Sequence, residues 1–207
     1  MSMNLKPRHQ LLLATNNRGK LREFLPILGD LPLQLVIPAN IGLTLEVAET
    51  GSTYAENAQL KAEAFAQTSG LLTLADDSGL EVAALDGEPG VYSARYAGPG
   101  ASDADRRARL IDALRGVPAP RSARFRCVIA IAQPGEATSL LFEGTCEGEI
   151  IFEERGSNGF GYDPLFFLPE HNGTMAELPS EVKNQISHRA RAAQAARPFL
   201  EAVIKDQ

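Results

Sequence analysis

The stretch LLLATNNRGKLREFLPIL, residues 11–28, decides the predicted fold. Its first five residues form a short apolar run typical of a buried strand, and a polar turn follows over residues 16–20. Apolar residues then recur at helical spacing, and a second strand is predicted over residues 33–37. This order of strand, helix and strand indicates an α/β fold, for which we expect a mixed β-sheet flanked by helices.

The clearest predicted helix begins after Thr53. Thr53 and Glu56 have the spacing of a capping box, and an alanine-rich stretch continues until Gly70. The next strand, over residues 71–75, leads into the sequence Asp–Asp–Ser–Gly at 76–79, which we predict to be an acidic turn.

The remaining chain continues to alternate between strands and helices. We predict strands over 80–85 and 91–96, a helix over 103–114, a hairpin of strands 124–132 and 139–147, and a last helix over 179–204. That last helix should be bent or broken near Pro198 because proline disrupts a helix interior. No repeat or linker interrupts the sequence, so residues 1–207 are expected to form a single domain, with 1–9 as a flexible extension.

Composition and charge argue against several classes of protein. The chain has 207 residues, 44% of them hydrophobic, and a formal net charge of −6. An acidic protein is unlike those that bind nucleic acid through a basic surface, although a few cations in a cleft can still bind a triphosphate. No apolar stretch approaches the roughly 18 residues of a membrane span. We therefore expect no nucleic-acid or membrane partner.

The two cysteines, Cys127 and Cys146, lack CxxC spacing and lie in apolar, strand-like surroundings. Such thiols are expected to be reduced core residues, which favours a cytoplasmic protein. The sequence contains three histidines and neither a GxSxG nor an HExxH motif. A serine triad or a zinc site therefore has little support.

The polar turn after the first strand is a candidate phosphate site. Ligands of α/β proteins bind at the carboxyl ends of strands, where helix N-termini offer free N–H groups. Thr15, Asn17 and Lys20 lie at such a junction. A P-loop is excluded because Ala14 replaces its first glycine and Leu21 replaces its Ser or Thr. An ordinary polar turn is the alternative.

The acidic sequence 76–79 predicts a magnesium site. Two adjacent carboxylates after a buried strand are costly unless a cation neutralises them, and oxygen ligands suit magnesium. Glu46 or Glu49 could supply a further ligand. Lys61 lies one helical turn after Asn57 and could balance the charge. The alternative is a solvated acidic turn beside an exposed helix face.

Aromatic and basic residues form a third candidate group. The segment 160–164 places two aromatic side chains beside a glycine-rich turn, which suits stacking on a base, although such residues are more often core anchors. Lys183, His188 and Arg189 lie close together in the sequence of the last predicted helix. They could donate to a phosphate or a base, or simply lie on its surface.

Together these segments resemble the inosine triphosphate pyrophosphatase family, the pyrophosphatases of non-canonical purine nucleoside triphosphates. The matching segments are TNNRGK at 15–20, ETGSTYAEN at 49–57 with Lys61, ADDSGL at 75–80, GVYSARY at 90–96, GFGYDP at 159–164, and Lys183 followed by Ser187, His188 and Arg189. Each segment alone is common, whereas all six in this order, over residues 11–200, are highly specific.

The resemblance implies an elongated mixed sheet with two α/β lobes, an active-site cleft between them, and a homodimer. The reaction it implies is magnesium-dependent hydrolysis of ITP, dITP and XTP to the monophosphate and pyrophosphate. Many bacterial members carry two adjacent acids before the Thr–Gly pair, whereas here Ala48 precedes Glu49. Glu49 is therefore the expected metal ligand, together with Asp77.

The resemblance also implies a role for each matching residue. Asp77 would orient or deprotonate the attacking water, with Asp76, Lys20 and Lys61 as the other catalytic residues. The substrate-binding residues would be Thr15, Asn16, Asn17, Arg18, Gly19, Lys20, Ser78, Phe160, Gly161, Tyr162, Asp163, Lys183, His188 and Arg189. A site that presents donors to a 6-oxo group would reject adenine, whose 6-amino group also donates.

Other functions remain open from the sequence. A related pyrophosphatase could prefer modified pyrimidines or a normal nucleotide, and a non-catalytic sensor could keep the binding site without the chemistry. The acidic pair and the two lysines argue against a sensor, because a binder has little need for so many charges around one metal.

Overall fold

The computed structural model describes residues 9–205. The expected flexible extension over residues 1–9 therefore lies outside the described residues, except for His9. No helix within the described range is long and apolar enough to cross a membrane.

The described strands form a mixed seven-stranded sheet, which confirms the predicted α/β class. The strands are β1 (Gln10–Leu13), β2 (Gln34–Val36), β3 (Leu72–Val82), β4 (Ser122–Ala132), β5 (Leu140–Ile150), β6 (Phe166–Leu168) and β7 (Gly173–Thr174). Their order is β2-β1-β3-β4-β5-β6-β7. β1 pairs in parallel with β2 and β3, whereas β6 pairs antiparallel with β5 and β7. The strands of the predicted hairpin, β4 and β5, are neighbours.

Three helices follow the first three strands in turn, and two more come after β7. They are α1 (Arg18–Leu28), α2 (Tyr54–Ser69), α3 (Asp103–Ala113), α4 (Ser180–Ile186) and α5 (His188–Lys205). Asn17 caps α1, because its side-chain oxygen accepts from the N–H groups of Gly19 at 2.8 Å and Lys20 at 3.1 Å. The helix predicted after the polar turn is present, but it begins at Arg18, within the residues 16–20 that were predicted to be turn.

The N-cap predicted for α2 at Thr53 is present. The Thr53 hydroxyl accepts from the Glu56 N–H at 3.2 Å, as expected. The Glu56 carboxylate accepts from the Ser52 N–H at 2.6 Å and hydroxyl at 2.9 Å. It therefore stabilises the segment that precedes the helix. Gly70 ends α2 in the left-handed conformation, with a φ of 69°.

The predicted acidic turn at 76–79 is wrong, because β3 continues through it to Val82. Asp76 and Asp77 are 2% and 7% exposed within this strand. Two buried carboxylates are tolerated there because each has a partner from another element: Lys20 for Asp76, and Asn57 for Asp77.

The strand predicted over 91–96 is also wrong, and that over 80–85 is correct only as far as Val82. Residues Ala83–Leu85 and Gly90–Arg95 form 3₁₀ helices. The Ser93 hydroxyl accepts from the Leu80 N–H at 2.8 Å and donates to the Gly90 carbonyl at 2.7 Å. These bonds hold the segment in a compact turn rather than an extended strand.

The last predicted helix is interrupted at Ser187 and not at Pro198. Ser187 has an extended backbone, with φ −65° and ψ 157°, and separates α4 from α5. Its hydroxyl accepts from the Ala190 N–H at 3.2 Å and so caps α5. Pro198 lies inside α5, which continues past it.

Two compact units divide the described residues. The first combines the residues up to Asp77 with Val128–Phe142 and the residues from Ala192 onward, and the second combines Ser78–Cys127 with Glu143–Arg191. Cys127 and Cys146 are buried and form no disulfide, as predicted. The expectation of a single domain with a cleft between two lobes stays a prediction.

Each unit has its own apolar core. In the first, small residues from α2 pack with residues of the central strands, and in the second, larger side chains surround β3, α3 and β4. The first core includes Leu12, Val36, Ala58, Phe65 and Ala130, and the second includes Leu80, Leu110, Phe125, Phe166 and Met175. The alanines of α2 allow this helix to approach the sheet closely, which brings its polar side chains near β3.

Candidate active site

Lys20 and Asp76 form a buried ion pair in the first unit. The Lys20 Nζ lies 2.9 Å from the Asp76 Oδ2 and donates to the Asp76 backbone carbonyl at 3.3 Å. The Asp76 side chain is 1% exposed, whereas that of Lys20 is 14% exposed. Lys20 therefore neutralises Asp76 while part of its side chain remains accessible.

Asp77 is held by two residues of α2. The Asn57 Nδ2 donates to the Asp77 Oδ2 at 3.1 Å. The Lys61 Nζ lies 4.0 Å from the Asp77 Oδ1 and 2.6 Å from the Glu49 Oε1. The two expected metal ligands, Glu49 and Asp77, therefore lie within reach of a single ammonium group. We call Lys20, Glu49, Lys61, Asp76 and Asp77 the carboxylate–lysine group.

The charges of this group shift the pKa values of its members. Burial raises the pKa of Asp77; the Lys61 and Lys20 ammonium groups oppose this, and the Glu49 carboxylate adds to it. Burial alone would lower the pKa of Lys61, but Asp76, Asp77 and Glu49 raise it above its ordinary value. Lys61 therefore stays cationic, and Asp77 binds a proton more readily than a solvated carboxylate.

Asn57 is a site residue whose contacts the sequence did not show. Its side chain is fully buried; its Oδ1 accepts from the Gly51 N–H at 2.8 Å, while its Nδ2 donates to Asp77. It thus connects the segment that carries Glu49 to the strand that carries Asp77. A Cβ on Gly51 would lie 2.8 Å from the Asn57 Oδ1, so this approach requires glycine. In the sequence, the one sign that Asn57 belongs to the site is its spacing of four residues from Lys61, which places both on one helix face.

The expected phosphate-binding residues 15–20 form the N-terminus of α1. The Thr15 hydroxyl accepts from the Asn17 N–H at 3.1 Å, so both side chains order the turn. Asn16, Asn17 and Arg18 are exposed, while Gly19 is buried. The first turn of α1 has no acidic residue, and the positive end of the helix dipole suits an anion. Their role in phosphate binding stays a prediction.

A second group of expected site residues surrounds a loop in the second unit. We call residues 159–163 the Phe160 loop. Within it, the Asp163 Oδ2 accepts from the Phe160 N–H at 2.9 Å and lies 2.6 Å from the Lys183 Nζ. The Lys183 Nζ lies 5.6 Å, and the Arg189 Cζ 5.0 Å, from the centroid of the Phe160 ring. Two cations thus lie beside a half-buried aromatic ring.

Arg189, Ser78 and His188 are each engaged within the second unit. The Arg189 Nη2 donates to the Ser78 Oγ at 2.8 Å. His188 is buried and stacks on Phe125, with ring centroids 4.8 Å apart. Arg189 is therefore oriented by Ser78 and Phe160, while His188 packs in the core of this unit.

Tyr162 belongs to the core rather than to a stacking surface. It is 4% exposed, its hydroxyl donates to the Ser93 carbonyl at 2.8 Å, and burial raises its pKa. Asp163 is likewise buried and paired with Lys183. Both residues hold the Phe160 loop in place, which leaves Phe160 as the candidate for stacking on a base.

The donor set is compatible with magnesium. Among residues 9–205, no three His, Cys, Asp or Glu side chains are arranged to hold a metal ion. Magnesium, however, commonly takes one or two carboxylates and completes its coordination with water and substrate phosphates. Glu49 and Asp77 are such a pair, and the raised pKa of Asp77 indicates that this carboxylate would be stabilised by further positive charge. Glu46, the alternative ligand, is exposed.

Comparison with known proteins identifies relatives over nearly the whole chain. The model of the Ham1 family matches residues 11–199. A dITP/XTP pyrophosphatase of Listeria monocytogenes is 51% identical over 184 residues, covering 88% of this chain and 90% of that protein. One from Geobacter sulfurreducens is 52% identical over 184 residues, covering 88% of this chain and 92% of that protein.

A solved structure shows the same likeness in three dimensions. The HAM1 protein of Coxiella burnetii is 43% identical, with a TM-score of 0.84, and the match covers 96% of this chain and all of that one. The family match, the identities and the shared fold agree with one another, and the chain belongs to the Ham1 family.

Proposed function

We propose that this chain hydrolyses non-canonical purine nucleoside triphosphates, among them dITP, ITP and XTP, to the monophosphate and pyrophosphate. The observation that carries the proposal is the buried Asp77, held by Asn57 and lying beside the Lys61 ammonium group that also contacts Glu49. Relatives about 50% identical to this chain over most of its length are named dITP/XTP pyrophosphatases, which supports the same reaction here.

Asp77 orients the attacking water and accepts its proton. Its carboxylate is buried and held by the Asn57 amide, which suits a general base at a fixed position. The water oxygen forms a bond to the α-phosphorus as the bond from that phosphorus to the α–β bridging oxygen breaks. Pyrophosphate leaves with the electron pair of that bond. Asn57 keeps the Asp77 carboxylate in one orientation during this step.

Lys20 and Lys61 stabilise the negative charge of the triphosphate. Both are held beside carboxylates, and their side chains are 14% and 13% exposed. Fixed cations in a partly buried site stabilise developing charge better than solvated ones do. Residues 15–19 add donors at the start of α1. Magnesium, held by Glu49 and Asp77, would neutralise phosphate charge and improve pyrophosphate as a leaving group.

Base recognition is assigned to Phe160 and the cations beside it. The ring offers a stacking surface, and Arg189 and Lys183 lie near its face. A 6-oxo purine accepts a hydrogen bond from Arg189, whereas the 6-amino group of adenine would leave two donors facing each other. An unpaired donor is costly, and this cost favours inosine over adenosine nucleotides.

The assembly and place of action are further parts of the proposal. A homodimer is supported by the family resemblance, and the cytoplasm is supported by two buried cysteines outside any disulfide, which suit a reducing compartment. A free nucleotide is the expected partner, and the net charge of −6 supports the absence of a nucleic-acid partner.

A substrate panel tests the proposed reaction. We expect pyrophosphate, and no orthophosphate, to be released fastest from ITP, dITP and XTP, and far more slowly from ATP, dUTP and dTTP. A chelator should stop the release and added magnesium should restore it. Preference for dUTP or dTTP would instead indicate a pyrimidine enzyme. Tight binding of ITP without any product would indicate a nucleotide sensor.

A further inference from the structure

We propose that Asp103 and Arg107 of α3 are positioning residues that hold the Phe160 loop and thereby set the preference for the base. The inference rests on the proposed function, because it assigns base contact to Phe160. Neither residue lies in any of the six matching sequence segments.

Both residues bind the same point of the loop. The Gly161 N–H donates to the Asp103 Oδ2 at 2.8 Å, and the Arg107 Nη1 donates to the Gly161 carbonyl at 3.0 Å. Asp103 and Arg107 are four residues apart and so lie on one face of α3. The N–H and the carbonyl of Gly161, the residue after Phe160, are therefore both held by α3.

Gly161 depends on such outside contacts. It has a φ of 63°, in the left-handed region that favours glycine, and, among the described residues other than its two chain neighbours, no heavy atom lies within 4 Å of where its Cβ would be. A residue without a side chain cannot anchor its own loop by packing. The two hydrogen bonds to α3 hold Gly161 in place. The Asp163 carboxylate, which accepts from the Phe160 N–H, holds the preceding residue.

Asp103 and Arg107 are themselves held firmly. Asp103 also pairs with Arg106, and the Arg107 Nε lies 2.9 Å from the Glu154 Oε1. Burial works to raise the pKa of Asp103, but the Gly161 N–H and Arg106 lower it below its ordinary value. The carboxylate therefore stays ionised, and its bond to Gly161 is charge-assisted, the stronger kind.

This arrangement separates positioning of the base from the chemistry. Loss of the Asp103 contact would free the peptide group before Gly161, and loss of the Arg107 contact would free the one after it. Either loss would let the Phe160 ring move relative to Lys183 and Arg189. No member of the carboxylate–lysine group would change. The structure thus assigns to α3 an effect on KM and on base preference, with little effect on kcat.

Steady-state pyrophosphate release from ITP and ATP by Asp103→Ala and Arg107→Ala tests the assignment. We expect the KM for ITP to rise about tenfold in each, the size of one lost charge-assisted hydrogen bond. The preference for ITP over ATP should narrow, and kcat for ITP should stay within about twofold. Asp103→Asn keeps a side-chain oxygen as acceptor, so its KM for ITP should lie much closer to the wild-type value than that of Asp103→Ala. Arg115→Ala is the matched control, because Arg115 lies just after α3 in an exposed pair with Asp112.

The outcomes separate this inference from the proposed function. A wild-type protein that releases no pyrophosphate from ITP would overturn both. An active wild type, with an unchanged KM and ITP preference in Asp103→Ala, would overturn the positioning role alone. A lower Tm and a lower kcat in Asp103→Ala, with KM unchanged, would also overturn the positioning role, because that pattern indicates general destabilisation. If Asp103→Ala does not fold, Arg107→Ala decides, because it removes the other contact with Gly161.

Discussion

The carboxylate–lysine group and the Phe160 loop use charge in opposite ways. In the first, three carboxylates face two lysines, and burial holds the Asp77 pKa above its ordinary value. In the second, Lys183 of α4 pairs with the buried Asp163 of the loop, and Lys183 and Arg189 lie near the Phe160 ring. The first arrangement suits proton transfer and phosphate charge, and the second suits recognition of a base. Substitutions in the two groups should therefore change different kinetic constants.

The largest effect is expected for Asp77→Asn. This nearly isosteric change keeps a side-chain oxygen but removes the base and the negative charge, so kcat for ITP should fall about a thousandfold or more. The fall should be equal for ITP and ATP, with Tm little changed. Asp112→Asn, in an exposed pair at the end of α3, is the matched control. Near-normal turnover by Asp77→Asn would remove this residue from the chemistry.

A smaller effect is expected for Asn57→Leu. Leucine has a similar volume but breaks the bonds to Asp77 and to the Gly51 N–H, so kcat should fall about thirtyfold with the ITP preference unchanged. Thermal or urea unfolding should show a loss of about 1–3 kcal/mol, because buried polar groups lose their partner. Gln67→Leu, on the exposed side of the same helix, controls for the added apolar side chain. A variant with reduced stability and a normal kcat would assign Asn57 to folding alone.

The smallest effect is expected for Arg189→Ala, and it should appear in specificity. Removal of the donor should narrow the ratio of kcat/KM for ITP to that for ATP about tenfold. Arg191→Ala is the comparison, because this exposed arginine in the same helix donates to the Thr145 carbonyl instead. An unchanged ratio in Arg189→Ala would exclude it from base recognition and would weaken the contrast between the two groups.

Local sequence patterns predicted most of the elements correctly. The N-cap of α2 at Thr53 and the end of this helix at Gly70 depend on neighbouring residues, and both were predicted. The errors arose where distant partners decide the structure. The acidic pair lies within β3 because Lys20, 56 residues away, neutralises Asp76, and no local pattern contains that information. A 3₁₀ turn replaces the strand expected at 91–96 because Ser93 bonds to Leu80.

The candidate site shows the same limit. Motif spacing and family resemblance together singled out Glu49, Lys61 and Asp77, and the structure brings these three residues together. The sequence positions of Phe160 and Tyr162 could not show which ring is accessible to a base. Tyr162 packs in the core, whereas Phe160 stays partly accessible. That difference is set by tertiary packing. The hydrogen bonds of Asn57 and of α3 also depend on contacts between separate elements.

Hydrolysis of ITP in water enriched in ¹⁸O tests most directly whether water attacks the α-phosphorus. The proposed mechanism predicts that the label enters inosine monophosphate and is absent from pyrophosphate. Label in pyrophosphate would show attack at the β-phosphorus, and labelled orthophosphate would show cleavage at the γ-phosphorus. Either result would contradict the reaction assigned to Asp77 and the groups around it.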